Sequence, residues 1–271
     1  MKFLYPLAKR FIAGHDLDSA KRPIQKLLDD GYEVSIDYVG EESLSKKDCL
    51  KAFKQYLNII RCYKKQKIDI SIKPTQIGLR IHPLVSLNFL SRVAERAKEN
   101  GHTIRLDMED SSVTTLTRNL AIYLNKRYGN VGVAMQANLY RTWEDVRHLI
   151  NNNVSIRLVK GAYKGDVENK EELKVIFCEL AAHLKFKKAN KPAIATHDEE
   201  ILNEINDDFY DYEFLYGIRR DLQKDLKKRE YAVRVYIPFG ENWLPYTIRR
   251  LKEWKNLKFV IKNIFKEWLK L

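Results

Sequence analysis

Cysteine is scarce in this chain of 271 residues: Cys49, Cys62 and Cys178 are its only three, far apart and odd in number. That excludes a disulfide framework and a paired-cysteine metal site, and it favours a reducing, cytoplasmic setting. The six histidines are scattered without ligand spacing and join no carboxylate cluster, so no metal is expected. Nowhere do eighteen apolar residues run together, and the N-terminus, Met1-Lys-Phe-Leu-Tyr-Pro-Leu-Ala-Lys-Arg10, is apolar only briefly and carries no cleavage signal. The chain is therefore expected to be neither exported nor membrane-spanning. Neither a Gly-rich dinucleotide fingerprint nor a Gly-Lys-Ser/Thr phosphate loop occurs, which argues against a Rossmann fold and a nucleotide hydrolase. Acidic residues are the minority, 36 against 49 Lys and Arg, and the net charge of +13 suits nucleic acid, anionic lipid or small acids. Aromatic residues interleave with basic ones at Arg61-Cys-Tyr-Lys-Lys65, but no RNA-recognition, helix-turn-helix or zinc-finger signature accompanies them, and nucleic acid is not expected as a partner.

What is present is a hydrophobic fraction of 45%, ample for a large core, and a regular text. Residues 1–33 read as a helical lead-in, with helices over Pro6 to Ile12 and Leu17 to Leu28. Strands then follow at residues 34–39, 68–73, 103–107, 131–136, 154–160, 193–196, 212–215 and 231–237. Helices alternate with them at 44–63, 84–100, 111–127, 143–150, 170–188, 199–205 and 219–228. Such alternation implies parallel strands with right-handed crossovers, and eight pairs in about 225 residues fit a closed (β/α)₈ TIM-like barrel better than an open sheet. The expected organisation is a lead-in (1–33), a barrel (34–254) and a C-terminal amphipathic helix (255–271).

In a barrel of this kind the active site gathers at the carboxyl ends of the strands. Here those ends are polar: Lys73, Asp107, Gln136, Arg157 to Gly161, Thr196-His197 and Tyr236. Each has a bland alternative. Asp107 could open the next helix, and a lone histidine is more often structural than catalytic. After the eighth strand, which Pro238 and Gly240 are expected to break, Asn242 can cap a helix with Pro245 in its first turn. On it Tyr246, Arg249, Arg250 and Glu253 share one face, opposite Leu244, Ile248 and Leu251. Two adjacent guanidiniums suit a carboxylate or a phosphate, and the same pattern equally fits the solvated side of an ordinary amphipathic helix.

Several long stretches, in order, resemble the proline dehydrogenase family in its short monofunctional form. They are Ser71-Ile-Lys-Pro-Thr-Gln-Ile-Gly-Leu79, Arg105-Leu-Asp-Met-Glu-Asp-Ser111, Gln136-Ala-Asn-Leu-Tyr-Arg-Thr142, Arg157-Leu-Val-Lys-Gly-Ala-Tyr163, Ala195-Thr-His-Asp198 and Phe214-Leu-Tyr-Gly-Ile-Arg-Arg-Asp-Leu-Gln223, followed by Arg234-Val-Tyr-Ile-Pro-Phe-Gly240 and Tyr246-Thr-Ile-Arg-Arg-Leu-Lys-Glu253. The resemblance implies a distorted barrel that holds FAD non-covalently, oxidises L-proline to Δ¹-pyrroline-5-carboxylate and passes electrons to a quinone. It assigns Arg249, Arg250 and Lys73 to the proline carboxylate, Tyr236 and Tyr246 to the proline ring, and Asp107 and Arg157 to the chemistry. On the cofactor side it points to Met108, Gln136, Arg157, Lys160, Gly161, Ala162, Thr196, His197 and Glu253. The next oxidation, to glutamate, is expected to fall to a separate pyrroline-5-carboxylate dehydrogenase. Two departures stand out: Asn138 replaces the family's usual Tyr, and Glu213 replaces an amide. A non-catalytic basic barrel descended from such an enzyme is the alternative, and the joint presence of Lys73, Arg157, Arg249 and Arg250 speaks for catalysis.

In the tail, Leu257, Val260, Ile261, Ile264, Phe265 and Trp268 lie on one helical face and Lys258, Lys262, Lys266 and Lys270 on the other. A basic amphipathic helix of this kind can pack on the barrel or a partner subunit, or lie peripherally on the inner face of the cell membrane, where a lipid-soluble quinone would be met.

Overall fold

The computed structural model describes residues 10–244 and 246–248. Helix α1 (Leu17–Asp29) opens with a reciprocal cap, in which the Asp16 side chain accepts from the Ser19 N–H while the Ser19 hydroxyl accepts from the Asp16 N–H. It leads into β1 (Glu33–Tyr38). Then follow α2 (Lys46–Cys62), β2 (Asp69–Ile72), α3 (Pro83–Glu99), β3 (Thr103–Leu106), α4 (Thr114–Tyr128), β4 (Val131–Gln136), α5 (Thr142–Asn151) and β5 (Ile156–Val159). The series ends with α6 (Lys170–Phe186), β6 (Ala193–Ala195), α7 (Glu199–Ile205), β7 (Asp211–Leu215), α8 (Arg220–Lys228) and β8 (Val233–Phe239). The strands form a closed barrel in the order β1 to β8, and the pairings are parallel, as in β2 with β3, β4 with β5 and β8 with β1. The described residues up to Val39, together with those from Tyr212, make one compact unit, and Gly40–Asp211 makes a second.

Two local expectations, and one of the bland alternatives, are corrected. Arg10 and Phe11 lie in a turn rather than a helix reaching Ile12; residues 6–9 lie outside the described residues. Strand β8 starts two residues later than alternation suggests and runs through Pro238. Proline is tolerated there because β7 has ended at Leu215, so no neighbour on that side needs the missing N–H, while the Pro238 carbonyl accepts from Ala13 N–H at 2.8 Å. Asp110, and not Asp107, caps the turn before α4: its side chain accepts from the Ser112 N–H at 2.9 Å.

In the second unit, the buried strand residues Ile70, Ile72, Ile104, Leu106, Val133, Met135, Ile156 and Leu158 are all apolar. The helices supply matching buried faces, such as Phe53, Tyr56 and Ile60 of α2 and Phe177, Leu180 and Leu184 of α6. Alternate strand positions are different in kind: Asp69, Ser71, Arg105, Gln136 and Arg157 are equally buried but polar. Arg157 on β5 bonds to side chains on β2 and beyond β3, although β4 intervenes, so these groups meet across the barrel interior. The lumen at this level is thus filled by ion pairs instead of layers of branched apolar side chains. Of the three thiols, Cys49 is buried, Cys62 is exposed at the end of α2, and Cys178 on α6 is partly covered. Among the described residues no helix is long and apolar enough to cross a membrane.

Candidate functional site

Arg157 is the hub. Its Nη1 donates to Asp107 Oδ1 at 2.8 Å, and its Nη2 donates to Asp69 Oδ2 at 3.2 Å and to Ser71 Oγ at 3.1 Å. Asp69 is itself shared, accepting from the Thr103 hydroxyl at 2.7 Å and lying 3.6 Å from Arg105 Nε. The other oxygen of Asp107 accepts from Lys73 Nζ at 3.3 Å, with the Lys73 and Asp107 side chains only 13% and 10% exposed. Lys73, Asp107 and Arg157 therefore form one shielded array, in which a carboxylate holds two cations of different strands side by side. Buried ion pairs of this geometry fix position more than they stabilise the fold.

Lys73 is the residue just past β2, and Pro74–Ile77 turn as a short 3₁₀ helix whose Gly78 cap takes φ 101°. Thr75 in this turn is gripped by Glu109: its N–H donates to Glu109 Oε2 at 3.0 Å and its hydroxyl donates to Oε1. Burial pushes the Glu109 carboxyl up to about 7, and the two hydrogen bonds from Thr75 and the charge of Lys73 offset only part of that rise. The neighbouring Met108 is buried as well.

Gln136, at the end of β4, is buried, donates from Nε2 to the Glu109 carbonyl at 3.0 Å and accepts at Oε1 from the Ala162 N–H at 3.2 Å. Gly161 adopts φ 127°, and a Cβ there would overlap the Asn138 side chain. Asn138 donates from Nδ2 to the Tyr163 carbonyl at 2.9 Å, and its own carbonyl accepts from the N–H groups of Asp166 and Val167 at 2.8 and 3.1 Å. Asn138, the departure from the family pattern, thus shapes the segment after β5. Lys160 pairs with Asp198 at 2.6 Å. Burial alone would raise Asp198, but the hydrogen bond and charge of Lys160, together with the backbone N–H groups of Glu200 and Ile201, outweigh it and leave that carboxyl lowered. Thr196 is buried and accepts from the Asp198 N–H at 3.2 Å, and His197 follows it at intermediate exposure.

In the other unit Tyr236 is half-buried on β8, and Tyr246 is 5% exposed, packed with Ile12, Val39 and Trp243. Ile248 is 40% exposed, so of these two described residues the large ring packs inward and the aliphatic one faces out, where the helical wheel put the aliphatic one inward. Glu213, the second departure, is buried with Oε2 at 3.9 Å from Arg234 Nη1, which places a cation against the added charge. Arg249, Arg250 and Glu253 lie outside the described residues.

The structure brings Lys73, Asp107 and Arg157 into one ion-pair array, and Gln136 and Ala162 into a hydrogen-bonded path with Glu109 and Thr75. Sequence reasoning passed over Asp69, Ser71, Arg105, Thr75 and Glu109. A signal existed for the first two: Asp69 and Ser71 share the alternation of Lys73 and so had to face the same side.

A parallel eight-stranded barrel whose carboxyl-end residues converge in a charged, shielded array is the architecture of a (β/α)₈-barrel enzyme. The family model described as proline dehydrogenase matches residues 20–262. Proline dehydrogenase 1 of Bacillus subtilis (strain 168) is 32% identical over 276 residues, covering 96% of this chain and 91% of that protein. Proline dehydrogenase of Deinococcus radiodurans is 33% identical over 290 residues, covering 97% and 91%. Among solved structures, proline utilization A (PutA) from Bdellovibrio bacteriovorus, inactivated by N-propargylglycine, superposes with a TM-score of 0.85 at 23% identity over 92% of this chain. Proline utilization A from Bradyrhizobium japonicum gives a TM-score of 0.78 at 20% identity. This chain spans 33% and 30% of those two longer chains, and at such identity they speak for the fold alone. The chain belongs to the proline dehydrogenase family.

Proposed function

We propose that this chain is a FAD-dependent oxidoreductase that converts L-proline to Δ¹-pyrroline-5-carboxylate and delivers the electrons to a quinone. The observation that carries the reading is the shielded array of Lys73 just past β2, Asp107 just past β3 and Arg157 on β5. The residues suit a flavin. A primary amide has two N–H groups and two lone pairs, and the two bonds Gln136 makes use one of each. The bare backbone at Gly161 admits close approach, and Lys160 offers a cation for phosphate. Met108, Ala162, Thr196, His197 and Glu253 complete the proposed cofactor set, by resemblance.

Bound FAD supplies a two-electron acceptor for the hydride that leaves proline C5. The chain's own residues orient and polarise. Arg157, held by Asp69, Ser71 and Asp107, presents fixed positive charge where negative charge would develop. Lys73, with Arg249 and Arg250, would clamp the substrate carboxylate, and Tyr236 and Tyr246 would bound the ring. Asp107 keeps Lys73 and Arg157 at fixed separation, so two cations are preorganised at no cost in the transition state. We also propose cytoplasmic location with peripheral membrane contact, where a quinone is accessible.

The test is the absorption spectrum of the purified protein, repeated anaerobically with L-proline and with D-proline. A flavin spectrum bleached only by L-proline is expected; failure to bind FAD would overturn the reading.

A further inference from the structure

Five consecutive segments at the carboxyl ends of the strands are joined by side chains into one continuous path. After β1, the Glu42 N–H donates to Thr75 Oγ1 at 2.9 Å. After β2, Thr75 donates its own N–H and hydroxyl to Glu109. After β3, the Glu109 carbonyl accepts from Gln136 Nε2 at 3.0 Å. Gln136, ending β4, accepts from the Ala162 N–H after β5 at 3.2 Å. Outside this path Arg80 ties the first three of these segments together, donating from Nε to Glu42 at 3.0 Å, from Nη1 to Ser112 Oγ at 2.8 Å, and from Nη2 to Asp110.

Glu109 sits at the centre and uses both its ends. It is only 1% exposed; its carboxylate fixes the turn that follows Lys73, and its carbonyl fixes Gln136. A buried carboxyl is costly and persists where its bonds are needed. We propose that Glu109 is a positioning residue that sets the substrate-facing Lys73 and the cofactor-facing Gln136–Ala162 pair from one anchored point. This rests on the roles given to Lys73 and Gln136 above. Both protonation states can serve. The carboxylate accepts twice from Thr75, while the neutral acid accepts from its N–H and donates to Oγ1.

The test compares full-length wild type with Glu109→Ala, Glu109→Gln and Thr75→Val. Glu109→Ala is expected to raise both the Kd for FAD and the KM for L-proline about fivefold, the loss of a network hydrogen bond. Glu109→Gln keeps an acceptor for the Thr75 N–H and should recover both constants to within about twofold. A variant that merely loosened the fold would not be rescued in this paired way. If Glu109→Ala fails to fold, Thr75→Val, which loses the hydroxyl's bonds to Glu109 and to the Glu42 N–H but keeps the Thr75 N–H bond to Glu109, is expected to move the same two constants in the same direction. Amide deuterium exchange on the FAD-free proteins gives a readout free of activity: segments 73–78 and 160–163 should both exchange faster in Glu109→Ala. Unchanged exchange at 160–163, or unchanged constants in both Glu109→Ala and Thr75→Val, overturns the proposal. A wild type that is not reduced by L-proline but shows coupled exchange would instead sink the functional reading and leave the positioning role standing.

Discussion

Glu109 titrates in an unusual place for a carboxyl: burial pushes it up to about 7 from 4.5. A carboxyl raised on folding binds its proton more tightly in the folded state, so its contribution to stability is complete below about pH 4.5 and is lost as pH rises through about 7. The FAD-free protein should therefore lose about 3 kcal/mol through this group between those limits. Urea unfolding at pH 5 and pH 8 checks this, and in Glu109→Gln the difference should shrink by most of that amount. Arg250→Ala belongs to the same scale: it should weaken L-proline binding by about 2 kcal/mol, the worth of a charge-assisted bond, with the Kd for FAD nearly unchanged. Equal loss of both in ligand titrations would remove Arg250 from the clamp. Lys73, Asp107 and Arg157 were legible in the sequence because polar residues at the ends of apolar strands are conspicuous. Glu109 was not, because it lies three residues past Leu106 in a run, Asp-Met-Glu-Asp-Ser, that reads as a helix entrance. Tyr246 is buried although a wheel counts hydroxyl-bearing tyrosine with the polar face, because its ring packs well against Ile12 and Val39.

At the scale of elements, periodicity located all eight strands and the helices between them, since every strand of a parallel barrel is apolar on its helix-facing side. What it misjudged was governed by partners distant in sequence. Pro238 stops a strand only if a neighbour needs its N–H, and the end of β7 at Leu215 could not be seen from the residues around Pro238. The segment after β5 shows the same dependence. Gly161 at φ 127° is required by Asn138, which lies more than twenty residues earlier and crowds both Gly161 and Gly165. Gly161→Ala should cost about 1–3 kcal/mol through backbone strain and the clash with Asn138. It should also weaken FAD binding. Thermal melts with and without FAD check both, and full retention of affinity would detach this segment from the cofactor.

The whole molecule departs from the usual barrel in its charged lumen. Asp69 is met there by Arg157, Arg105 and Thr103, so Asp69→Ala leaves two buried guanidiniums short of a counter-charge and should destabilise by about 3–5 kcal/mol in urea unfolding. The net charge of +13 acts outward. If residues 257–271 form the basic membrane-facing helix proposed, their removal should lower co-sedimentation with anionic vesicles at least about tenfold, and added salt should do likewise to the full chain. Equal pelleting of both forms would return that segment to a packing role. The cysteines carry a consequence of a different sort. Cys49 is sealed in the core, and the Cys178 thiol is pushed up to about 12, by burial first and Glu204 second, so at neutral pH it is scarcely nucleophilic. Cys62 alone stands exposed. The folded chain thus carries a single addressable handle for a maleimide dye, and the slow arrival of a second and third label would serve as a stopwatch for its opening.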